Sequence, residues 1–330
     1  MSPKIFLTGV TGYIGGTVFN SLAEKHPEFE YAVMVRSQEA AKRVMEKYPK
    51  VRVEIGDLGS EELLSRETAN ADIIINAANN DHVPSAQVIT SSLSPSSYLI
   101  HTSGTSIILD WRSNGFGTQL GTKVYNDVDG VSEITSLPDE AWHRDVDRVV
   151  LESGKNTAIV CPCCIYGLGT GPGKKVSWQI PQLAKWTIVH GKGFVVNEGR
   201  TYWNHVHVLD LANLYVKLVE EALKPNGGKA TWGPEGYYFA ESGEHIWSDV
   251  SQKIAEIAHR KGLIKDDSIE KLTPEEIRTF APTGHLEWGS NSRGIGMRAR
   301  TLLGWEPKQK NLWDSLEEEV DMAAEALKKH

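Results

Sequence analysis

The chain has 330 residues, 40% of them apolar and 24% charged, a globular composition that excludes a disordered chain. Its 35 Lys and Arg against 43 Asp and Glu give a net charge of −8, which argues against nucleic acid as a partner because phosphate contact needs clustered basic charge. No apolar run reaches the roughly 18 residues of a membrane span. MSPKIFLTGV also lacks a signal-peptide pattern, so a cytoplasmic protein with no membrane partner is expected.

Strand and helix signals alternate through the first half. KIFLT (4–8) is an apolar strand that runs into a glycine, and residues 13–26 form a helix closed by Pro27. EYAVMVR (30–36) reads as a strand, EAAKRVMEKY (39–48) as a helix stopped by Pro49, and VRVEI (51–55) as a third strand. A serine cap opens the helix SEELLSRE (60–67). DIIIN (72–76) and SSYLIHTS (96–103) are strands on either side of a weaker helix at 83–92. DEAWHRDVDRVVLES (139–153) reads as a helix and NTAIVCP (156–162) as a strand. Continuous apolar strands alternating with helices predict an α/β fold, a doubly wound parallel sheet of the Rossmann type.

The second half loses this rhythm. A glycine-rich loop (167–175) precedes helices predicted at 178–190, 208–223 and 246–263. The expected division is a dinucleotide-binding unit at 1–165 and a smaller C-terminal substrate lobe at 166–330, with 203–223 returning to the first unit. Cys161, Cys163 and Cys164 fall within four residues, a poor basis for disulfides or a metal site. They are expected as small buried residues, with a redox-sensitive thiol as the alternative.

Thr8-Gly9-Val10-Thr11-Gly12-Tyr13-Ile14-Gly15-Gly16 follows a strand and opens a helix. Gly9 permits the tight turn, Gly12 the approach of a pyrophosphate, and Gly15 close packing of helix on strand. The helix N-terminus adds N–H groups and dipole for the phosphates. Gly9, Thr11, Gly12, Tyr13, Ile14 and Gly15 are therefore the expected phosphate site. The second strand ends at Arg36, with Lys42 and Arg43 a turn further on. A guanidinium pairs with a 2′-phosphate where a carboxylate would bind a 2′-hydroxyl, so NADP is expected over NAD. Asp57 and Leu58 sit at the adenine edge, and Ala77 and Ala78 leave room for a ribose.

These segments, taken in order, resemble the extended short-chain dehydrogenase/reductases of the epimerase/dehydratase-like branch. TGVTGYIGG, Asp57-Leu58, Asn76-Ala77-Ala78, CPCCIYG (161–167), WNHVHVLDLANLY (203–215) and the stretch from Ala299 to Pro307 carry the resemblance over nearly the whole length. More narrowly, the chain is similar to uncharacterised fungal members. The resemblance implies that Cys161, Pro162 and Cys163 pass the nicotinamide, with Thr102 on the cofactor side of the fifth strand. It also implies pairing into a homodimer.

The family's catalytic set is a serine or threonine after the fifth strand and a Tyr-x-x-x-Lys on the next helix. Here Ser103 and Thr105 supply hydroxyls, but the helix reads Trp142-His143-Arg144-Asp145-Val146-Asp147-Arg148. One register places His143 and Asp147 at the missing positions, the other Arg144 and Arg148. Histidine exchanges protons near neutrality, whereas guanidinium does not deprotonate and acts only as a charge. Tyr166 and Tyr125 are further donors within reach. Ten tryptophans, among them Trp111, Trp142, Trp178, Trp203 and Trp247, suit an apolar substrate or simply a core. Three functions stay open. The first is an NADP-dependent oxidoreductase of a small apolar carbonyl-type molecule. The second is a nucleotide-sugar epimerase or dehydratase, and the third a non-catalytic dinucleotide sensor.

Overall fold

The computed structural model describes residues 2–110, 115–118 and 123–328, which leaves Trp111 outside. Apolar, β-branched runs form β1 (Lys4–Thr8), β2 (Glu30–Val35), β3 (Arg52–Ile55), β4 (Ile73–Asn76) and β5 (Tyr98–Thr102). They alternate with α1 (Tyr13–Lys25), α2 (Gln38–Lys47), α3 (Glu61–Asn70) and α4 (Val83–Ser92). Asn156–Pro162 and Tyr237–Ala240 extend the sheet beyond β5. Its order in space is Tyr237–Ala240, Asn156–Pro162, β5, β4, β1, β2, β3, and every pairing is parallel. The strand order therefore reverses between β1 and β4, where a crevice opens at the carboxyl ends of the strands.

The period-two alternation of the central strands feeds two separate cores. Ile5, Leu7, Ile73 and Ile75 face one way, onto Val18, Phe19 and Leu22 of α1. Phe6 and Ile74 face the other way, onto Leu64 of α3 and Ile89 of α4. Helices thus cover both faces of a sheet whose central strands are mostly apolar, as a wholly parallel sheet requires. The helix Val208–Ala222 lies against α1 and joins the first core through Leu211, Leu214, Tyr215 and Leu218.

A third core belongs to the later residues. Helices Gln179–His190, Trp247–Arg260 and Leu312–Leu327 pack on a small sheet of Cys164–Tyr166, Tyr202–His207 and Gly243–Ile246. Trp203 and Trp247 are buried in it. All three cysteines are free and buried. No described helix is long and apolar enough to cross a membrane.

One expected element is shorter than its sequence pattern. The helix read at 139–153 begins only at Arg144. His143 takes a left-handed backbone, φ 65°, which a right-handed helix cannot include. Asp139, freed from the helix, reaches back to Arg148 with both oxygens at 2.8 Å.

Candidate active site

The turn after β1 is built by absent side chains. Gly9 has φ 77°, and a β-carbon there would strike the Ala77 carbonyl oxygen. A β-carbon on Gly15 would come within 2.5 Å of the Gly9 oxygen, and one on Gly12 within 3.0 Å. The loop is therefore pressed between α1 and the end of β4, and Gly9 and Gly15 leave no room for a side chain. No side chain caps α1, and its first turn carries no acid. Its N-terminal N–H groups and dipole remain available to an anion.

In front of this turn is a groove of about 550 Å³. Gly9, Thr11, Gly12, Arg36, Asp57, Leu58, Ala77 and Ala78 line it. Met34, Val35, Gly56, Gly59, Asn79 and His82 complete the lining. Arg36 is exposed and meets no carboxylate among the described residues, whereas Arg43 is held by Glu39 at 2.6 Å. Asp57 turns inward on its own loop, accepting from the Gly59 N–H at 2.9 Å. The cradle and the free cation fit a dinucleotide, with its pyrophosphate on Gly12 and α1 and its adenosine along Asp57 and Leu58.

Other expected cofactor residues lie off this groove. The Tyr13 hydroxyl donates to the Gly167 carbonyl at 2.6 Å, tying α1 to the glycine-rich loop. Thr102 shares a hydrogen bond of 2.6 Å with the Tyr215 hydroxyl. Cys161 is fully buried, and the Cys163 thiol faces the Ala240 carbonyl at 3.0 Å. Burial pushes both thiols well above their usual range, so neither is a ready nucleophile.

The glycine-rich loop was given no role by its sequence. It lies as a strap across the phosphate turn. The Lys174 N–H donates to the Thr11 carbonyl at 2.9 Å. A β-carbon on Gly173 would strike that same carbonyl, and one on Gly171 would come within 2.5 Å of Gly16.

The catalytic candidates separate into a buried set and an edge set. Ser103 donates to Asp147 Oδ2 at 2.9 Å, and the Tyr237 hydroxyl donates to the same oxygen at 3.1 Å. Asp147 is 1% exposed, and burial raises its carboxyl to about 6 against the opposing pull of Ser103. Its Oδ1 has no hydrogen-bond partner among the described residues and lies 4.0 Å from His101 Nε2. His101 is itself tied through Nδ1 to Asn76, and Asn76 to Thr8. Burial lowers His101 to about 4, so the ring is neutral at physiological pH. Thr105 is buried, and its hydroxyl has no partner among the described residues.

His143 lies nearer the surface, its side chain 10% accessible. Its Nδ1 is 2.6 Å from Asp81 Oδ1, on the loop between β4 and α4. The imidazole holds the Asp81 carboxyl below its usual range. Asp81 was absent from the sequence reading; the only signal was a polar run, Asn79 to His82, shortly after the strand Ile73–Asn76. The arginine register goes elsewhere. Arg144 is buried and donates to the Leu137 carbonyl, while Arg148 pairs with Asp139. Tyr166 donates to the Lys310 carbonyl at 2.8 Å.

The chain is 37% identical to the oxidase ucsJ of Acremonium sp over 346 aligned residues, covering 99% of each chain. The chain belongs to the family of that oxidase. Residues 4–105 of this family member match the NAD-binding domain model of semialdehyde dehydrogenases. Its fold is that of the extended short-chain dehydrogenase/reductases. The dTDP-glucose 4,6-dehydratase of Bacillus anthracis, solved with NAD, superposes with a TM-score of 0.70 at 15% identity, covering 98% of this chain and 97% of that one. DesIV, a dTDP-glucose 4,6-dehydratase of Streptomyces venezuelae solved with NAD, gives 0.66 at 18% identity, covering 98% and 97%.

Proposed function

We propose that this chain is an NADP(H)-dependent oxidoreductase acting on a small, apolar carbonyl-type substrate. One observation carries the reading. The guanidinium of Arg36, which meets no carboxylate among the described residues, stands at the end of β2 beside a groove whose phosphate turn leaves no room for a side chain at Gly9 or Gly15. The name of the 37% identical relative, an oxidase, supports redox chemistry. The family-model match supports a nicotinamide dinucleotide as cofactor.

Gly12 and the first turn of α1 hold the pyrophosphate through backbone N–H groups. Arg36 meets the 2′-phosphate, and Ser37, which caps α2 by accepting from the Ala40 N–H at 3.2 Å, fixes the backbone beside it. When bound, the nicotinamide supplies or accepts the hydride. The chain's own part is to place the substrate at the carboxyl edge of β5 and to exchange one proton with its oxygen. The buried, unpartnered Thr105 hydroxyl is the donor that orients that oxygen. Trp142, exposed beside His143 with ring centres 6.4 Å apart, is the apolar wall.

Fluorescence titration of the protein with NADPH and NADH tests the cofactor. NADPH is expected to bind at least tenfold more tightly, and Arg36→Ala is expected to remove that preference while leaving NADH affinity within about twofold. Equal binding of both dinucleotides by the unaltered protein defeats the NADP reading. NADPH oxidation is then followed against a panel of aldehydes, ketones, imines and enones. The missing tyrosine and lysine favour a second reading, a dinucleotide sensor, which predicts tight NADPH binding and no turnover with any substrate.

A further inference from the structure

We infer that His143, held by Asp81, is the group that exchanges the substrate proton, at its Nε2. This rests on the dinucleotide reading above, because it places the reacting oxygen at the edge where β4, β5 and the helix Arg144–Glu152 converge.

The geometry leaves His143 one usable nitrogen. Asp81 is a carboxylate and can only accept, so Nδ1 carries the proton of their 2.6 Å bond. Nε2 has no hydrogen-bond partner among the described residues. It is a lone pair in the neutral ring and an N–H in the charged one. The residue opposite is Gly104, and a β-carbon there would lie 3.3 Å from Nε2. A side chain at that position would fill the space in front of the nitrogen.

The backbone points the same way. His143 is one of three non-glycine residues with positive φ among those described. The left-handed turn ends the loop from Pro138 and starts the helix, and it sets the ring between Asp81 and Gly104. Strain kept at such a position marks a side chain whose direction matters.

The atoms that the neighbouring ionisable groups leave without a partner, Asp147 Oδ1, His101 Nε2 and Arg144 Nη1, are buried away from the surface. Asp147 accepts from Ser103 and Tyr237 beneath the surface. His101 is 1% exposed and bonded to Asn76. His82 accepts the Ser85 N–H on Nδ1, so its neutral ring keeps a proton on Nε2 and has no free lone pair. Arg144 and Arg148 are bound to Leu137 and Asp139.

In the reducing direction the Nε2–H bond breaks and its electron pair stays on the ring. The proton forms the new O–H bond on the substrate, whose carbon receives two electrons and a hydrogen from the reduced nicotinamide. In the oxidising direction Nε2 takes the alcohol proton. Asp81 stays ionised throughout and is a positioning residue.

Diethyl pyrocarbonate, mapped by peptide mass spectrometry, tests this without knowledge of the substrate. His143 is expected to be carbethoxylated in the free protein. Saturating NADP+ is expected to slow that labelling at least tenfold, whereas adenosine 2′,5′-bisphosphate, which fills only the adenosine end, leaves it unchanged. In Asp81→Asn the free-protein rate is expected to fall severalfold. Exposed His190 and His259 serve as internal references, their side chains being 38% and 49% accessible. Absence of His143 labelling while the references react overturns the proposal, as does equal protection by both nucleotides. Failure of the unaltered protein to bind NADP+ in a parallel titration instead overturns the dinucleotide reading, and this inference with it. His143→Asn, which tolerates the left-handed backbone, supplies the second check. It is expected to bind NADPH within twofold of the unaltered protein and to lose at least a hundredfold in turnover of whichever panel substrate reacts. Undiminished turnover overturns the proposal.

Discussion

At φ 65° a β-carbon crowds the following carbonyl oxygen, a cost of about 1–2 kcal/mol. His143 bears that cost at the head of a helix that would otherwise start earlier. Asp147, one turn on, shows a different expense, a carboxyl buried with one oxygen unpartnered. Its folded pKa of about 6 lies above the value of a free carboxyl. The folded state therefore holds this proton more tightly than the unfolded one does. The resulting stability is complete below the ordinary carboxylate range and is lost as pH rises through about 6. His101 works the other way. Burial lowers it to about 4, so its contribution is complete above the usual imidazole range and is lost as pH falls toward 4. Asp147→Asn is isosteric and uncharged, so its stability relative to the unaltered protein should improve between pH 5 and pH 8. Urea midpoints at the two pH values check this, and a difference that does not change with pH would count against a buried, raised carboxyl. The phosphate turn could be read from sequence because its three glycines are close neighbours in the chain. The Asp81–His143 pair could not, since its members are 62 residues apart and meet only once β4 lies beside β5.

The strap at 167–175 shows what an element's own composition hides. Its glycines look like a mobile linker, yet Gly171 and Gly173 are there because the backbone of Gly16 and Thr11 is already in the way. Gly171→Ala and Gly173→Ala should displace the strap from the phosphate turn and weaken NADPH binding at least tenfold in a fluorescence titration. Gly191, at φ 78° with nothing within 4 Å of a β-carbon, is the control. Gly191→Ala should lose about 1 kcal/mol of stability through backbone strain alone while keeping NADPH affinity within twofold. Equal effects on affinity at all three positions would refute a specific contact. The helix that begins late at Arg144 carries the complementary lesson. Its residues favour a helix from Asp139 onward, but the pairing of Asp139 with Arg148 and the turn at His143 override that local preference.

For the molecule as a whole, alternating apolar strands and capped helices made the parallel sheet readable, since the central strands β1, β2, β4 and β5 are buried on both faces and show it in composition. The seventh strand, Tyr237–Ala240, was less readable because its partner, Asn156–Pro162, is remote in sequence. The helix Val208–Ala222 returns to α1 for a reason visible in its pattern, a broad apolar stripe too large for a surface helix. One ligand should therefore brace both parts of the chain. NADPH at a hundred times its Kd should add about 2.7 kcal/mol to stability. It should also slow amide hydrogen exchange at residues 167–175 as well as at 9–16. Slowing confined to the first segment would show that the strap does not share the site.

The contact between Lys174 and Thr11 also sets an order in time. The phosphate turn leaves the ribosome early, and its outer wall is still unmade. At about 5–20 residues per second, several seconds to half a minute pass before the strap emerges. During that interval the Thr11 carbonyl has no Lys174 N–H to accept from. Completion of the dinucleotide site is thus a late event of synthesis, although the motif that announces it comes first.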